Sequence, residues 1–185
     1  MLTRVKRYRK KRTGTPVPYG ATMPNDVWTM DIIHDSCMNG TKLRILSIVD
    51  EFTRECLALE VSTHINSNTV RTVLSRLFFT RAVPRFLRSD NGGEFIARST
   101  AMHLHDAKCT ARFIQPGKPW QNGFIESFHS TLRRDHLDVE VFFNLLDAQL
   151  KTGIYRNYYN QVRPHSALGY KAPTEYATMK AGSLM

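Results

Sequence analysis

Val27-Trp28-Thr29-Met30-Asp31-Ile32-Ile33 is a run of β-forming residues with one acid in its middle. A polar turn at Asn39-Gly40 separates it from a second run, Lys42 to Asp50, and Asn-Gly between two apolar runs is a strong hairpin signal. A third strand is expected from Glu55 to Val61, which makes an antiparallel three-stranded start. The period then changes. Val70, Val73, Leu74, Leu77 and Phe78 follow helical spacing, with Asn66 or Ser67 placed to cap the helix and Pro84 to end the region. Arg85 to Arg88 reads as a short strand leading into Ser89-Asp90-Asn91-Gly92-Gly93. Next come a helix from about Glu94 to Ala107, a fifth strand from Thr110 to Ile114 and a loop at Pro116, Gly117 and Pro119. Helix is expected again near Asn122 and near Glu140, where Phe142, Leu146, Leu150, Ile154 and Tyr158 recur every fourth residue. This order describes an α/β fold, a five-stranded mixed sheet flanked by helices.

At 185 residues the chain is about one domain long and can bury a proper core. No run approaches eighteen apolar residues, so no membrane span is expected, and the start has no apolar segment of signal-peptide type. Cys37, Cys56 and Cys109 are scattered and odd in number, which fits reduced thiols in the cytoplasm better than a disulfide framework. The net charge of +10 points to an anionic partner, most simply nucleic acid. Arg4, Lys6, Arg7, Arg9, Lys10, Lys11 and Arg12 carry most of it, since elsewhere nineteen basic residues face sixteen acidic ones. Residues 1–24 therefore read as a basic arm or linker punctuated by Gly and Pro, residues 25–177 as the folded domain with a helical C-terminal extension, and 178–185 as a tail. Such arms lie along phosphate backbones.

The acids are the chemistry-bearing candidates. Asp31 sits mid-strand between Met30 and Ile32, where a charge is expensive unless paired or bound to metal. Asp90 ends the fourth strand at a chain reversal, a common ligand position in open α/β sheets, although Asp-Asn-Gly-Gly is also ordinary turn chemistry. Glu126 shares a helix face with Asn122, His129, Ser130 and Arg133, while Phe124, Ile125, Phe128 and Leu132 face the core; a plain surface role fits it too. Asp26, Asp35, Asp50, Glu51 and Glu94 compete, and composition does not exclude them. His103 and His105 with Cys109 make a poor zinc set, because both histidines share one helix at unsuitable angles.

Three segments narrow the choice: Trp28-Thr29-Met30-Asp31, Ser89-Asp90-Asn91-Gly92-Gly93-Glu94-Phe95 and Gln121-Asn122-Gly123-Phe124-Ile125-Glu126-Ser127-Phe128. A fourth runs Tyr159-Asn160-Gln161-Val162-Arg163-Pro164-His165-Ser166-Ala167-Leu168-Gly169, followed by Pro173-Thr174. Together they resemble the catalytic core of bacterial insertion-sequence transposases of the retroviral-integrase (DDE) type. The 35 residues between Asp90 and Glu126, and Arg133 seven positions beyond, match the family's spacing. The resemblance spans roughly residues 4–177.

It implies a ribonuclease-H-like fold and metal-dependent DNA cleavage and strand transfer on transposon ends and a target duplex, by a multimer assembled on DNA. Asp31, Asp90 and Glu126 become the catalytic, metal-ligating triad for two Mg²⁺ or Mn²⁺ ions, with Asp31 bridging. Hard divalent cations take oxygen ligands, and a metal pair can neutralise both the attacking and the leaving oxygen of a phosphodiester. Arg133, Lys118, Asn122 and Arg163 are the expected DNA contacts, and Trp120 is a packing residue or a stacking surface for a displaced base. Two other readings stay open at this level: a DNA-binding or regulatory transposase fragment without independent activity, since no helix-turn-helix is legible, and a ribonuclease H. The latter needs a fourth acid and does not carry the Asn-x-x-Arg-Pro-His segment.

Overall fold

The computed structural model describes residues 19–115 and 117–182; the basic run at positions 4–12 lies outside them. Strands β1 (Val27–Ser36), β2 (Lys42–Asp50) and β3 (Cys56–Ser62) are antiparallel neighbours, joined first by the expected Asn39-Gly40 turn, where Gly40 takes φ +83°. Helix α1 (Ser67–Thr80) follows, with Asn66 as its N-cap accepting from the Asn68 and Thr69 amides. It carries the chain across so that β4 (Phe86–Ser89) runs parallel to β1, and β5 (Thr110–Phe113) parallel to β4. The sheet order is β3-β2-β1-β4-β5.

Alternation along β1 splits the core in two. Trp28 and Met30, with Leu46 and Ile48 of β2, pack against Val70, Leu74 and Leu77 of α1. Ile33, with Ile45 and Val49, packs on the opposite face against Ile125, Phe128 and Leu132 of α4 (Gly123–Leu132) and against Ala148, Tyr155 and Tyr159 of α5 (Leu145–Gln161). Asp31 is in phase with Ile33, so it faces α4.

The helix expected over 94–107 is two: α2 (Gly93–Ile96) and α3 (Arg98–Asp106), broken where Ala97 turns extended at φ −53°, ψ 137°. Phe95 and Leu104 are nine residues apart, which one continuous helix would put about 180° apart; the break lets both enter the same core cluster. A residue-by-residue period cannot show this, because no Pro or Gly marks the site.

The helix expected near Glu140 starts later, at Leu145, with Asn144 accepting from the Asp147 amide. Its buried face is Ala148, Thr152, Tyr155 and Tyr159; Leu146, Leu150 and Ile154 of the expected apolar stripe are 65%, 60% and 70% exposed. Polar bonds set this orientation. Asn160 both accepts from the Cys56 amide and donates to the Cys56 carbonyl, Arg156 donates to that same carbonyl, and Gln149 donates to the Val61 carbonyl. They satisfy the open edge of β3, which a strand at a sheet margin otherwise leaves bare. Leu150→Ser is therefore expected to change the unfolding free energy by no more than about 0.5 kcal/mol in a urea titration. A loss above about 2 kcal/mol, the scale of a core truncation, would show that the face is packed.

At the ends, Tyr19 and Thr22 bond to Asp26 and Tyr19 packs edge-on to Phe86, so residues from 19 onward dock on the domain. Helix α6 (Pro173–Gly182) carries regular structure beyond residue 177, where a tail was expected.

Candidate active site

The parallel pairing of β1 with β4 places the candidate carboxylates. The last registered pair is Thr29 with Arg88; two residues further on lie Asp31, in the middle of β1, and Asp90, immediately past the end of β4. Asp90 Oδ1 accepts from the Gly92 amide at 2.9 Å, which shapes the turn into α2. A Cβ on Gly92 would sit 3.1 Å from that same oxygen and 3.2 Å from the Phe95 ring, so glycine keeps the carboxylate's approach clear. From the opposite side α4 brings Glu126 on its exposed face. The helix is pinned there by Asn122, whose side chain bonds the Thr29 hydroxyl of β1.

Asp31 reports how crowded this arrangement is. Its carboxyl is pushed up to about 6, first by burial and then by the negative charges of Asp90, Glu126 and Glu94, against the lowering effect of the Ile32 amide that it accepts. Like charges gathered at one mouth, with a partly desolvated acid among them, mark a place that would gain from a cation. The donor set, all carboxylate oxygen, suits a hard divalent ion. Among the described residues, no three His, Cys, Asp or Glu side chains converge at ligand spacing as they stand. A cation would have to draw the acids together.

The competing acids are already committed. Asp26 accepts from Thr22 and Tyr19. Asp50 accepts from the amides of Asn25, Phe52 and Thr53. Glu51 is paired with Arg88 inside the fold, Glu55 is held by two bonds from Arg81, and Glu94 is bridged to Arg44 at 2.8 Å. Asp35, half-buried further along β1, accepts from the Ser36 amide through Oδ1, while its Oδ2 is buried with no hydrogen-bond partner among the described residues.

His129 emerges as a neighbour of the site. Its Nδ1 is 3.7 Å from Asp31 Oδ2, and its Nε2 meets the Ser47 hydroxyl at 3.0 Å. Burial, reinforced by Arg133, holds its pKa down at about 4, so it stands neutral beside Asp31 and the contact is not an ion pair. Ser47 pairs with Asp31 across the β1–β2 hairpin. Nothing in the sequence pointed to it, since only that register brings it here.

The expected DNA contacts separate. Arg133 donates to the His34 carbonyl at 2.7 Å and begins a π-helical turn, Arg133–Leu137, with its side chain still 42% exposed. Lys118 bonds Gln115 and lines a shallow depression with Asp90, Asn91 and Gly92, close to the carboxylates. Asn122 is 4% exposed and spent on Thr29, a framework position rather than an open one. Arg163 is bridged to Asp135 at 2.8 Å, on the C-terminal segment away from the acids.

His165, on the same segment, sits edge-on to Tyr159 and, through burial and the charges of Arg163 and Arg54, titrates down at about 4. An unfolded histidine takes its proton near 6.5. The stability that comes from keeping His165 neutral is therefore whole above that pH and is lost as pH falls from 6.5 towards 4. Wild type is expected to lose more of its Tm between pH 7 and pH 4.5 than His165→Gln does; equal losses would contradict this.

A five-stranded sheet in the order 3-2-1-4-5, with acids in the middle of β1, just past β4 and on the helix after β5, defines the ribonuclease-H-like class. Solved structures agree in fold. The simian T-cell lymphotropic virus intasome in complex with PP2A regulatory subunit B56 gamma superposes with TM-score 0.69, at 16% identity, over 86% of this chain and 56% of that one. The HTLV-2 integrase catalytic core domain in complex with magnesium gives 0.59, at 16% identity, over 86% and 99%. Models of the integrase core domain match residues 21–119 and 107–173, and the chain belongs to the integrase core domain family. Among its relatives are an uncharacterized 31.7 kDa protein of insertion element IS407 from Burkholderia multivorans, 37% identical over 92% of this chain and 63% of that one, and an IS476 protein from Xanthomonas euvesicatoria, 36% identical over 85% and 45%. The putative transposase InsD of IS2E from Escherichia coli is 30% identical over 85% of this chain and 75% of its own length. The chain thus spans about half to two thirds of the first two relatives.

Proposed function

We propose that this chain is the catalytic domain of an insertion-element transposase, a polynucleotidyl transferase that cleaves and joins DNA strands with Asp31, Asp90 and Glu126 as its divalent-metal ligands. The observation that carries the reading is the juxtaposition of the acids: parallel pairing of β1 with β4 sets Asp31 beside Asp90, and α4 adds the exposed Glu126, close enough that both charges raise the proton affinity of the partly buried Asp31. Relatives named as insertion-element transposases, and a structural neighbour described in complex with magnesium, support it.

Mg²⁺ or Mn²⁺ held by these three acids, in a pair on this reading, would supply Lewis-acid stabilisation of the charge that develops on the attacked phosphate and the oxygens on either side. The chain's own residues do the rest. Asp31 is fixed in mid-strand on β1, and Asp90 follows directly on the adjacent β4, its carboxylate held by the Gly92 amide. Glu126, on an exposed helix face, is free to swing in. His129, neutral and tethered to Ser47, buttresses Asp31 and offers no positive charge to compete with a cation. Lys118, beside Asp90, and the partly exposed Arg133, at the end of α4, are the cations placed to meet phosphates of the duplex. Transposon ends and target DNA are the substrates on this reading, handled by a multimer on DNA.

The assay is cleavage of duplex DNA by the purified chain in Mn²⁺, with EDTA as the blank. Nicking that depends on the metal and on each of the three acids is expected. Metal-independent nicking, or nicking confined to RNA–DNA hybrid, would overturn the proposal.

A further inference from the structure

A sizeable cavity opens away from the carboxylates. It lies round α4 from them, on the side of Phe124 and Ser127, and is closed by the segment after α5. Its volume of about 680 Å³ is in the range of pockets that hold small ligands, roughly 300–1,000 Å³. Four observations say what it is built for. Two of its lining residues hold buried nitrogens with no hydrogen-bond partner among the described residues, Arg54 Nη1 and His165 Nε2. Such groups are costly unless something else completes them. Two guanidiniums converge there: Arg54 lies 4.0 Å over the Phe124 ring, and Arg163 is braced by Asp135. Two aromatic rings of its lining, Trp120 and Tyr170, are 42% and 76% exposed. Finally, Arg54 and Tyr170 are both held at left-handed backbone angles, φ +64° and +63°, which cost an L-residue free energy and which glycine would take freely.

Exposed aromatic rings, two guanidiniums and a histidine nitrogen complement the three parts of a nucleotide: base face, phosphate and base edge. We propose that this cavity receives a single nucleotide unstacked from a DNA duplex lying across the carboxylates, its base against Trp120 and Tyr170 and its phosphate towards Arg54 and Arg163. The proposal rests on the reading of the chain as DNA-acting. It gives the C-terminal segment from Arg163 to Tyr170 a use that the carboxylate chemistry does not. Capturing one nucleotide would hold the duplex distorted while α4 keeps Glu126 at the neighbouring phosphate, with unstacking repaid by the new contacts.

The test is binding without metal, in EDTA, to a duplex carrying one unpaired 2-aminopurine and to its fully paired counterpart. The full chain is expected to prefer the unpaired duplex by roughly tenfold, the scale of one base stacked on aromatic rings, and to quench the 2-aminopurine fluorescence. Tyr170→Gly relieves a left-handed backbone and should melt no lower than wild type; Arg54→Gly also gives up its stacking on Phe124 and is read at a temperature where its own melt shows it folded. Each should abolish most of the preference for the unpaired duplex. Equal affinity of wild type for both duplexes, or a preference that survives both variants, overturns the proposal. Displacement of the unpaired duplex by free dAMP would assign the cavity to a mononucleotide and overturn the DNA form of it. Asp90→Asn should keep the preference whether or not it cleaves, so failure of the cavity and failure of the carboxylate chemistry are read separately.

Discussion

Asp90→Asn is expected to lower metal-dependent cleavage of duplex DNA by at least about 10³-fold, some 4 kcal/mol of transition-state stabilisation. The structure says why this substitution should be clean. The side-chain oxygen that accepts from the Gly92 amide at 2.9 Å exists in asparagine too, so the turn into α2 is kept. What is lost is one charge at a place where charge has no structural use. Removing it also eases the repulsion on Asp31, so the variant should melt no lower than wild type in the absence of metal. Cleavage in Mn²⁺, read beside a thermal melt, checks both halves. A folded Asp90→Asn that still cuts would remove Asp90 from the chemistry and with it the proposed triad.

Glu51→Ala makes the opposite demand. Its side chain is wholly enclosed, and it meets the Arg88 guanidinium, itself 7% exposed, at 2.5 Å; Arg88 also donates to the Tyr19 carbonyl. Removing one partner strands a buried charge, and such losses run to about 3–5 kcal/mol. That is much of a domain's typical stability of 5–15 kcal/mol. Urea denaturation should show the deficit. At a temperature where the variant is folded, its cleavage per folded molecule should equal wild type, because the pair braces β4 from within rather than facing substrate. Loss of cleavage without loss of stability would move Glu51 into the active site and reverse the sorting of the acids.

These two carboxylates look alike in the sequence. Both sit beside strand ends, and neither hydropathy nor spacing tells a buried brace from an open ligand. The distinction comes from pairing, since Glu51 has Arg88 37 positions away while, among the described residues, the Asp90 side chain has only a turn amide. Asp31 was the easier reading. An acid between Met30 and Ile32 is anomalous from local chemistry, and the structure adds that its phase on β1 faces α4. Conversely, α5 misled for an identifiable reason. Leu146, Leu150 and Ile154 form a better apolar stripe than Ala148, Thr152, Tyr155 and Tyr159, yet the second set is buried, because Gln149, Arg156 and Asn160 satisfy the edge of β3. Main-chain groups left open by one element are invisible in the pattern of another.

Local order was therefore determined by the sequence itself: the β1–β2 hairpin through Asn39-Gly40, the cap of α1 at Asn66, the succession of three strands, helix and strand, and the suspicion attached to Asp31. Each depends on neighbours within a few positions, where period and turn chemistry act. Only the tertiary structure decided which acids are spent and which are open, the break at Ala97 that sends Phe95 and Leu104 into one core, the approach of His129 to Asp31, and the cavity that joins Arg54 to a segment more than a hundred residues later. Those are contacts between distant parts of the chain, made by strand register and by the satisfaction of buried polar groups. No stretch of sequence carries either one on its own.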